Sequence, residues 1–167
     1  MTAVAGGETA GAKAAAARPE AAREAPRVAV HETERHARLA LERARLAAGM
    51  GKWTTALVLL RAALQAEPDH PESLSFFGYC LAGAGEDLEA ARHACRRALD
   101  MQPHVAAHHA RLGCVYRAAH LERRAHECFR QALRLDPAED VALAGLAALA
   151  ARPLLVRLRE RWRAARR

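Results

Sequence analysis

Between Cys114 and Cys128 the chain reads CVYRAAHLERRAHEC, with two cysteines and two histidines inside one short stretch. Such side chains could ligate a metal, form a redox pair, or supply a nucleophile and its base. Zinc needs converging donors, usually four, with close spacing inside each half of the site. His126 and Cys128 are two apart, and on a helix such neighbours point about 200° from one another, so they cannot grip one ion from a single face. Cys80, Cys95, Cys114 and Cys128 contain no CxxC pair and no small disulfide scaffold surrounds them, which points to reduced thiols in a reducing compartment. Cys95 reads as core, where a free thiol behaves as a small hydrophobe. Cys80, Cys114 and Cys128 read as partly exposed, and Arg111 and Arg117 flank Cys114 as the cations that a lowered thiol pKa would need. His104, His108 and His109 form a second cluster, expected at a helix start and on the surface. No glycine-rich phosphate loop, nucleophile elbow or held carboxylate pair is visible. The expectation is a chain that is not an enzyme and that holds no cofactor and no metal.

Only helices are available to carry these residues. From about Glu32 onward Ala, Leu, Arg and Glu dominate and β-branched residues are few. Breaks fall at Gly49 to Gly51, Pro68, Pro71, Gly83 to Gly85, Pro103 and Pro137. The breaks recur. Pro68, Pro103 and Pro137 are almost evenly spaced, Ala56, Ala91 and Ala125 keep the same two steps, and so do Ala63, Ala98 and Ala132. Self-similarity of this kind marks a solenoid of helix pairs, each needing its neighbours to bury its apolar face.

In these spacings the sequence resembles the tetratricopeptide repeat (TPR) family, whose pattern is W-x2-L-G-x2-Y, then A-x3-F, then P. The third copy reads His109-x2-Leu112-Gly113-x2-Tyr116, then Ala125-x3-Phe129, then Pro137. The second reads Leu74-x2-Phe77-Gly78-x2-Leu81, then Ala91-x3-Cys95, then Pro103. The first has a worn opening helix, Ala40-x2-Arg43-Ala44-x2-Ala47, but keeps Ala56-x3-Leu60 and Pro68. After Pro137, Leu143-x2-Leu146-Ala147-x2-Ala150 restarts the first-helix pattern as a closing helix. His120 stands where a turn glycine is common. The resemblance implies an all-α solenoid over residues 31 to 151, with repeats at about 37–70, 71–105 and 106–139 and a closing helix over 140–151. Small residues at Ala44, Gly78 and Gly113, facing Ala56, Ala91 and Ala125, let paired helices approach closely.

Outside that domain the composition changes. Residues 1–30, rich in Ala, Gly and Pro with balanced charge, have the composition of a disordered tail. The net charge of +7 is concentrated at the other end: residues 152–167 carry seven basic groups and one acidic group, against fourteen and thirteen in residues 37–151. That segment, RPLLVRLRERWRAARR, reads as a short basic amphipathic helix with Leu154, Leu155, Leu158, Trp162 and Ala165 on one stripe. It could cover the solenoid, lie on an anionic membrane through Arg157, Arg159, Trp162 and Arg163, or meet nucleic acid, the least favoured of the three. The N-terminus lacks the early charge and leucine core of a secretory signal. The expected location is the cytoplasm, with peripheral attachment at the inner membrane face as the variant. Arginine supplies 24 of the 26 basic residues, the mark of a GC-rich, bacterial genome.

The resemblance implies that the first helices of successive pairs line a groove for an extended peptide or helix of a partner protein. Register places Arg38, Leu41, Arg45 and Ala48 on that face in the first pair. Glu72, Ser75, Phe76, Tyr79 and Ala82 follow in the second, and Ala107, Ala110, Arg111, Cys114 and Arg117 in the third. The groove is therefore expected to be basic at both ends with an aromatic centre, suiting an acidic peptide. Of the five positions by which some TPR modules clamp a terminal carboxylate, only Arg111 matches; Leu41, Arg45, Phe76 and Ala107 occupy the rest. The expected function is a non-enzymatic adaptor or scaffold. A secretion chaperone of the type III translocator kind and a membrane-peripheral scaffold are the alternatives, and the oligomeric state is left open.

Overall fold

The computed structural model describes residues 21–151, with side chains from Glu32 onward except Thr33. Seven helices follow one another in this span: α1 (Ala21–Gly49), α2 (Trp53–Ala66), α3 (Pro71–Ala84), α4 (Leu88–Met101), α5 (Ala106–Ala118), α6 (Glu122–Leu135) and α7 (Asp140–Ala150). Among the described residues no helix is long and apolar enough to cross a membrane.

The helix ends have local causes. Pro71 opens α3, and the His70 ring nitrogen Nδ1 caps it by accepting from the Ser73 amide at 3.2 Å. Asp87 caps α4, its Oδ1 accepting from the amides of Glu89 and Ala90 at 3.0 and 2.9 Å. The turns inside the pairs share one construction. A residue with positive φ, Gly51 (73°), Gly85 (70°) or His120 (59°), ends the first helix. The next amide then reaches back by one helical turn and more: Lys52 to Ala47, Glu86 to Leu81 and Leu121 to Tyr116, at 2.9, 3.0 and 2.8 Å. His120 thus adopts the left-handed conformation that glycine takes in the other two pairs, at some steric cost.

Packing follows the chain. α1 pairs with α2, α3 with α4 and α5 with α6, and each pair rests on the next through α2–α3, α3–α5 and α4–α5, with α7 closing on α5 and α6. Ala56, Ala63, Ala91, Ala98, Ala125 and Ala132 are all essentially inaccessible, so the second helices bury their small faces completely. Leu60, Cys95 and Phe129 stand between them in α2, α4 and α6 and are equally buried. A side chain at Gly78 would meet the Cys95 Sγ at 2.6 Å, and one at Gly113 would meet the Phe129 ring at 2.6 Å. The partner of Gly113 is therefore Phe129, one turn beyond the alanine expected to face it.

One boundary and one packing face differ from the sequence expectation. α1 starts at Ala21, inside the stretch taken for a tail, because Ala, Arg and Glu there are strong helix formers despite the low-complexity composition. In α7 the contact with the solenoid is made by Ala142, Gly145 and Leu149. Gly145 lies against the Phe129 ring, leaving no room for a Cβ. Of the restarted first-helix pattern, Leu143, Ala147 and Ala150 are exposed and Leu146 is half-buried against the core. That face corresponds to the one by which α5 holds α6, and among the described residues α7 has no second helix of its own.

Candidate functional site

Of the residues expected in a groove, Arg45, Ser75, Phe76 and Arg111 meet through Glu72 and one another, and Tyr79, Cys114 and Arg117 line one pocket, with unequal exposure. Arg38 and Arg117 are exposed, Arg45 and Tyr79 half-buried, and Ser75, Phe76 and Cys114 buried. The burial of Ser75 and Phe76 follows from the close seam between α3 and α5, where Arg111 lies across both. Its guanidinium donates to the Ser75 Oγ at 2.8 Å and stands 5.2 Å from the centroid of the Phe76 ring. Only 12% of the Arg111 side chain remains exposed.

Arg45 and Arg111 are not free charges. Glu72 pairs with Arg45 and approaches Arg111 to 3.8 Å, so a carboxylate from the opening turn of α3 sits between them. Burial lowers the Arg111 pKa, and Glu72 acts in the opposite sense. Behind this pair lies a buried polar chain. Arg111 donates to Ser75 Oγ, Ser75 and His108 Nδ1 are 2.9 Å apart, and His108 Nε2 is 3.1 Å from Gln102 Oε1. An amide oxygen can only accept, so His108 carries its proton on Nε2 and receives the serine hydroxyl at Nδ1. Burial, with Arg111 in second place, pushes His108 down to about 4; Glu72 opposes this, and His109 and His70 add small repulsions.

His108 corrects the expectation of a surface residue. Nothing in its type separates it from His104 or His109, but the α5 register turns it into the seam with α3. Cys80 and Cys114 correct it likewise: both are buried, and Cys128 is half-buried. Burial pushes Cys80 and Cys95 up to about 12 and Cys128 to about 11. Cys114 is also raised by burial, although Arg117 pulls it back. Thiols held so high are protonated at neutral pH and poor nucleophiles. Among the described residues no three His, Cys, Asp or Glu side chains come together as a metal site.

An aromatic row crosses the middle of the face. Phe76 stacks on Tyr79 with centroids 5.7 Å apart, and Tyr79 meets Trp53 edge-on at 5.7 Å. Burial raises the Tyr79 pKa, with smaller contributions from the Cys114 and Cys80 thiols. Trp53, the first residue of α2, lies over Gly83, where a Cβ would strike the indole at 2.8 Å. These residues enclose a pocket of about 290 Å³ with Ala82, Cys114 and Ala118, and Arg117 stands at its edge. The sequence register does not reveal Trp53, because it belongs to a second helix. Arg157, Arg159, Trp162 and Arg163 lie outside the described residues.

No protein-family model and no curated protein matches the sequence. Solved structures do match. The TPR domain of Arabidopsis OM64 is 16% identical, with a TM-score of 0.60 over 71% of this chain and 97% of that one. The chain has the tetratricopeptide-repeat fold. A second TPR domain, from human RPAP3 and in complex with the HSP70 peptide SGPTIEEVD, is 16% identical over 74% of this chain and 99% of that one, with a TM-score of 0.58. A mutant O-GlcNAc transferase of Thermobaculum terrenum is 27% identical over 68% of this chain, with a TM-score of 0.62; the matched region is 22% of the transferase. Within this fold the candidate site is the face of α1, α3 and α5, with arginines at its margins, aromatic rings in its middle and the Glu72 carboxylate between Arg45 and Arg111.

Proposed function

We propose that this TPR protein is a non-enzymatic adaptor that binds an acidic, aliphatic or aromatic segment of a partner protein on the α1, α3 and α5 face. The observation that carries this reading is the pocket of Trp53, Tyr79, Ala82, Gly83, Cys114, Arg117 and Ala118. Its lining combines aromatic and small side chains with the exposed Arg117 guanidinium. A peptide side chain seated there places a neighbouring carboxylate within reach of Arg117, and Tyr, Trp and Arg are the residue types that dominate interface energies. Glu72 between Arg45 and Arg111 supports the same chemistry, because the face accommodates a carboxylate of its own. The RPAP3 domain, in complex with a peptide rich in acidic residues near its end, supports a protein ligand as the class.

Arg38, Arg45, Tyr79, Arg111 and Arg117 are the contacts of this reading, with Ser75, Phe76 and Cys114 beneath them as support. Crosslinking pull-down from the native host with the chain, Tyr79→Ala and Arg117→Glu tests it. Partners should be lost from both variants while far-ultraviolet circular dichroism is unchanged. Partners retained by both variants, at unchanged helicity, would remove the groove as the binding site.

A further inference from the structure

The last helix is built as though something covers it. α7 reads DVALAGLAALA, with Asp140 its one charged residue. A helix apolar all round is a buried helix, yet only Ala142, Gly145 and Leu149 of α7 are buried. Leu143 is 47% exposed, and Ala147 and Ala150 are exposed beside it. This open side is in register with the side of α5 that grips α6, one repeat earlier: Ala147 stands where Gly113 stands.

The chain beyond α7 carries the matching half. In α6 the contact with α5 is made by Ala125, Phe129 and Ala132, steps of four and three, and α2 and α4 repeat those steps. Leu158, Trp162 and Ala165 repeat them again, close to one repeat length after the α6 set. The turns within the pairs all have one length, Met50–Lys52, Gly85–Asp87 and Ala119–Leu121. A turn of that length after α7 ends at Pro153, a residue suited to opening a helix. Residues 154–167 suffice for a helix of the length of α2, α4 and α6.

We propose that residues 154–167 dock as an eighth helix on the Leu143, Ala147 and Ala150 face of α7, completing a fourth TPR pair. The basic stripe then lies on the outside of that pair, and its leucines and Trp162 are taken up within the protein. Leu158 stands where the other second helices carry alanine, which matches the shorter α7 and a last step one position short of the step before it: the fourth pair is more open than the others.

Hydrogen exchange on the full chain decides this. Backbone amides of 156–165 should exchange at least about tenfold more slowly than in the free peptide 152–167. Leu143→Asp with Ala147→Asp, both at exposed positions, should abolish that protection while 53–135 keeps its own. Leu158→Asp, which leaves α7 intact, should in turn accelerate exchange in α7. Exchange of 156–165 at the free-peptide rate would overturn the proposal, as would protection that survives the double substitution. Protection that appears only at high protein concentration assigns the face to a second copy, and protection only with phosphatidylserine vesicles assigns the stripe to a membrane; either result also overturns it.

Discussion

The interior of a helix pair and the seam between two pairs are held by opposite means. Inside the third pair, Gly113 lies against the Phe129 ring, which Gly145 of α7 also meets. Every group there is apolar, and closeness alone stabilises the contact through dispersion and water exclusion. In the seam between α3 and α5, by contrast, Ser75 and His108 are buried and satisfied by Arg111 and Gln102. Burial of such groups is tolerable only because each has a partner. The pair interior fixes the architecture; the seam fixes where two arginines and a tyrosine stand on the α1, α3 and α5 face.

If that contrast is right, the pair interior should be the most sensitive part of the molecule. Phe129→Ala leaves a void between two glycines and should cost about 3–5 kcal/mol, read by chemical denaturation. Gly113→Leu overpacks the same place and should cost roughly 1–3 kcal/mol or more. A Phe129 variant as stable as the native chain would remove the contrast at its source.

The seam should reveal itself by pH. Folded protein keeps His108 neutral down to about pH 4, whereas the unfolded chain takes up that proton near 6.5. Between those values the unfolded state binds more protons, so stability present above 6.5 is lost as the pH falls toward 4. The loss attributable to His108 should reach about 2–3 kcal/mol, measured as the difference between native chain and His108→Gln unfolded at about pH 7.5 and about pH 4.5. Equal pH dependence in both would show that the seam does not hold the imidazole neutral.

Smaller effects sharpen the comparison at its edges. Glu72→Gln removes a partly exposed pair and should cost at most about 1 kcal/mol of stability. His120→Gly relieves the left-handed residue in the turn of the third pair and should stabilise by about 1 kcal/mol or less. An increase in Tm confirms that this turn follows the glycine-ended form of the other two pairs; a decrease would show that the His120 side chain contributes more than its backbone costs.

The same contrast explains what could be read from sequence. Contacts inside pairs recur with the chain's period, so Gly78, Gly113, Ala91 and Ala125 announce themselves by position. Seam residues do not recur. Ser75 and His108, like Glu72 and Arg111, come from different repeats and have no counterpart pair in the first, so no periodicity marks them. Register put Arg111 and Tyr79 on one face but could not say that Arg111 crosses Phe76, or that Glu72 lies beside it. The α7 pattern was legible as a first helix, yet which of its faces meets the solenoid depends on the neighbour, and that neighbour is a three-dimensional fact. The cysteines illustrate the same limit, since burial, unlike residue type, decides their reactivity.

Whether the α1, α3 and α5 face is the surface that meets a partner is the question on which the rest depends. A photo-crosslinking residue introduced at Arg117, beside Trp53 and Tyr79, and separately at Arg130, exposed on α6, measures this most directly in the native host. The prediction is a discrete crosslinked partner from position 117 that disappears on Tyr79→Ala, with none from position 130. The same partner captured at 130 and absent at 117 would contradict it.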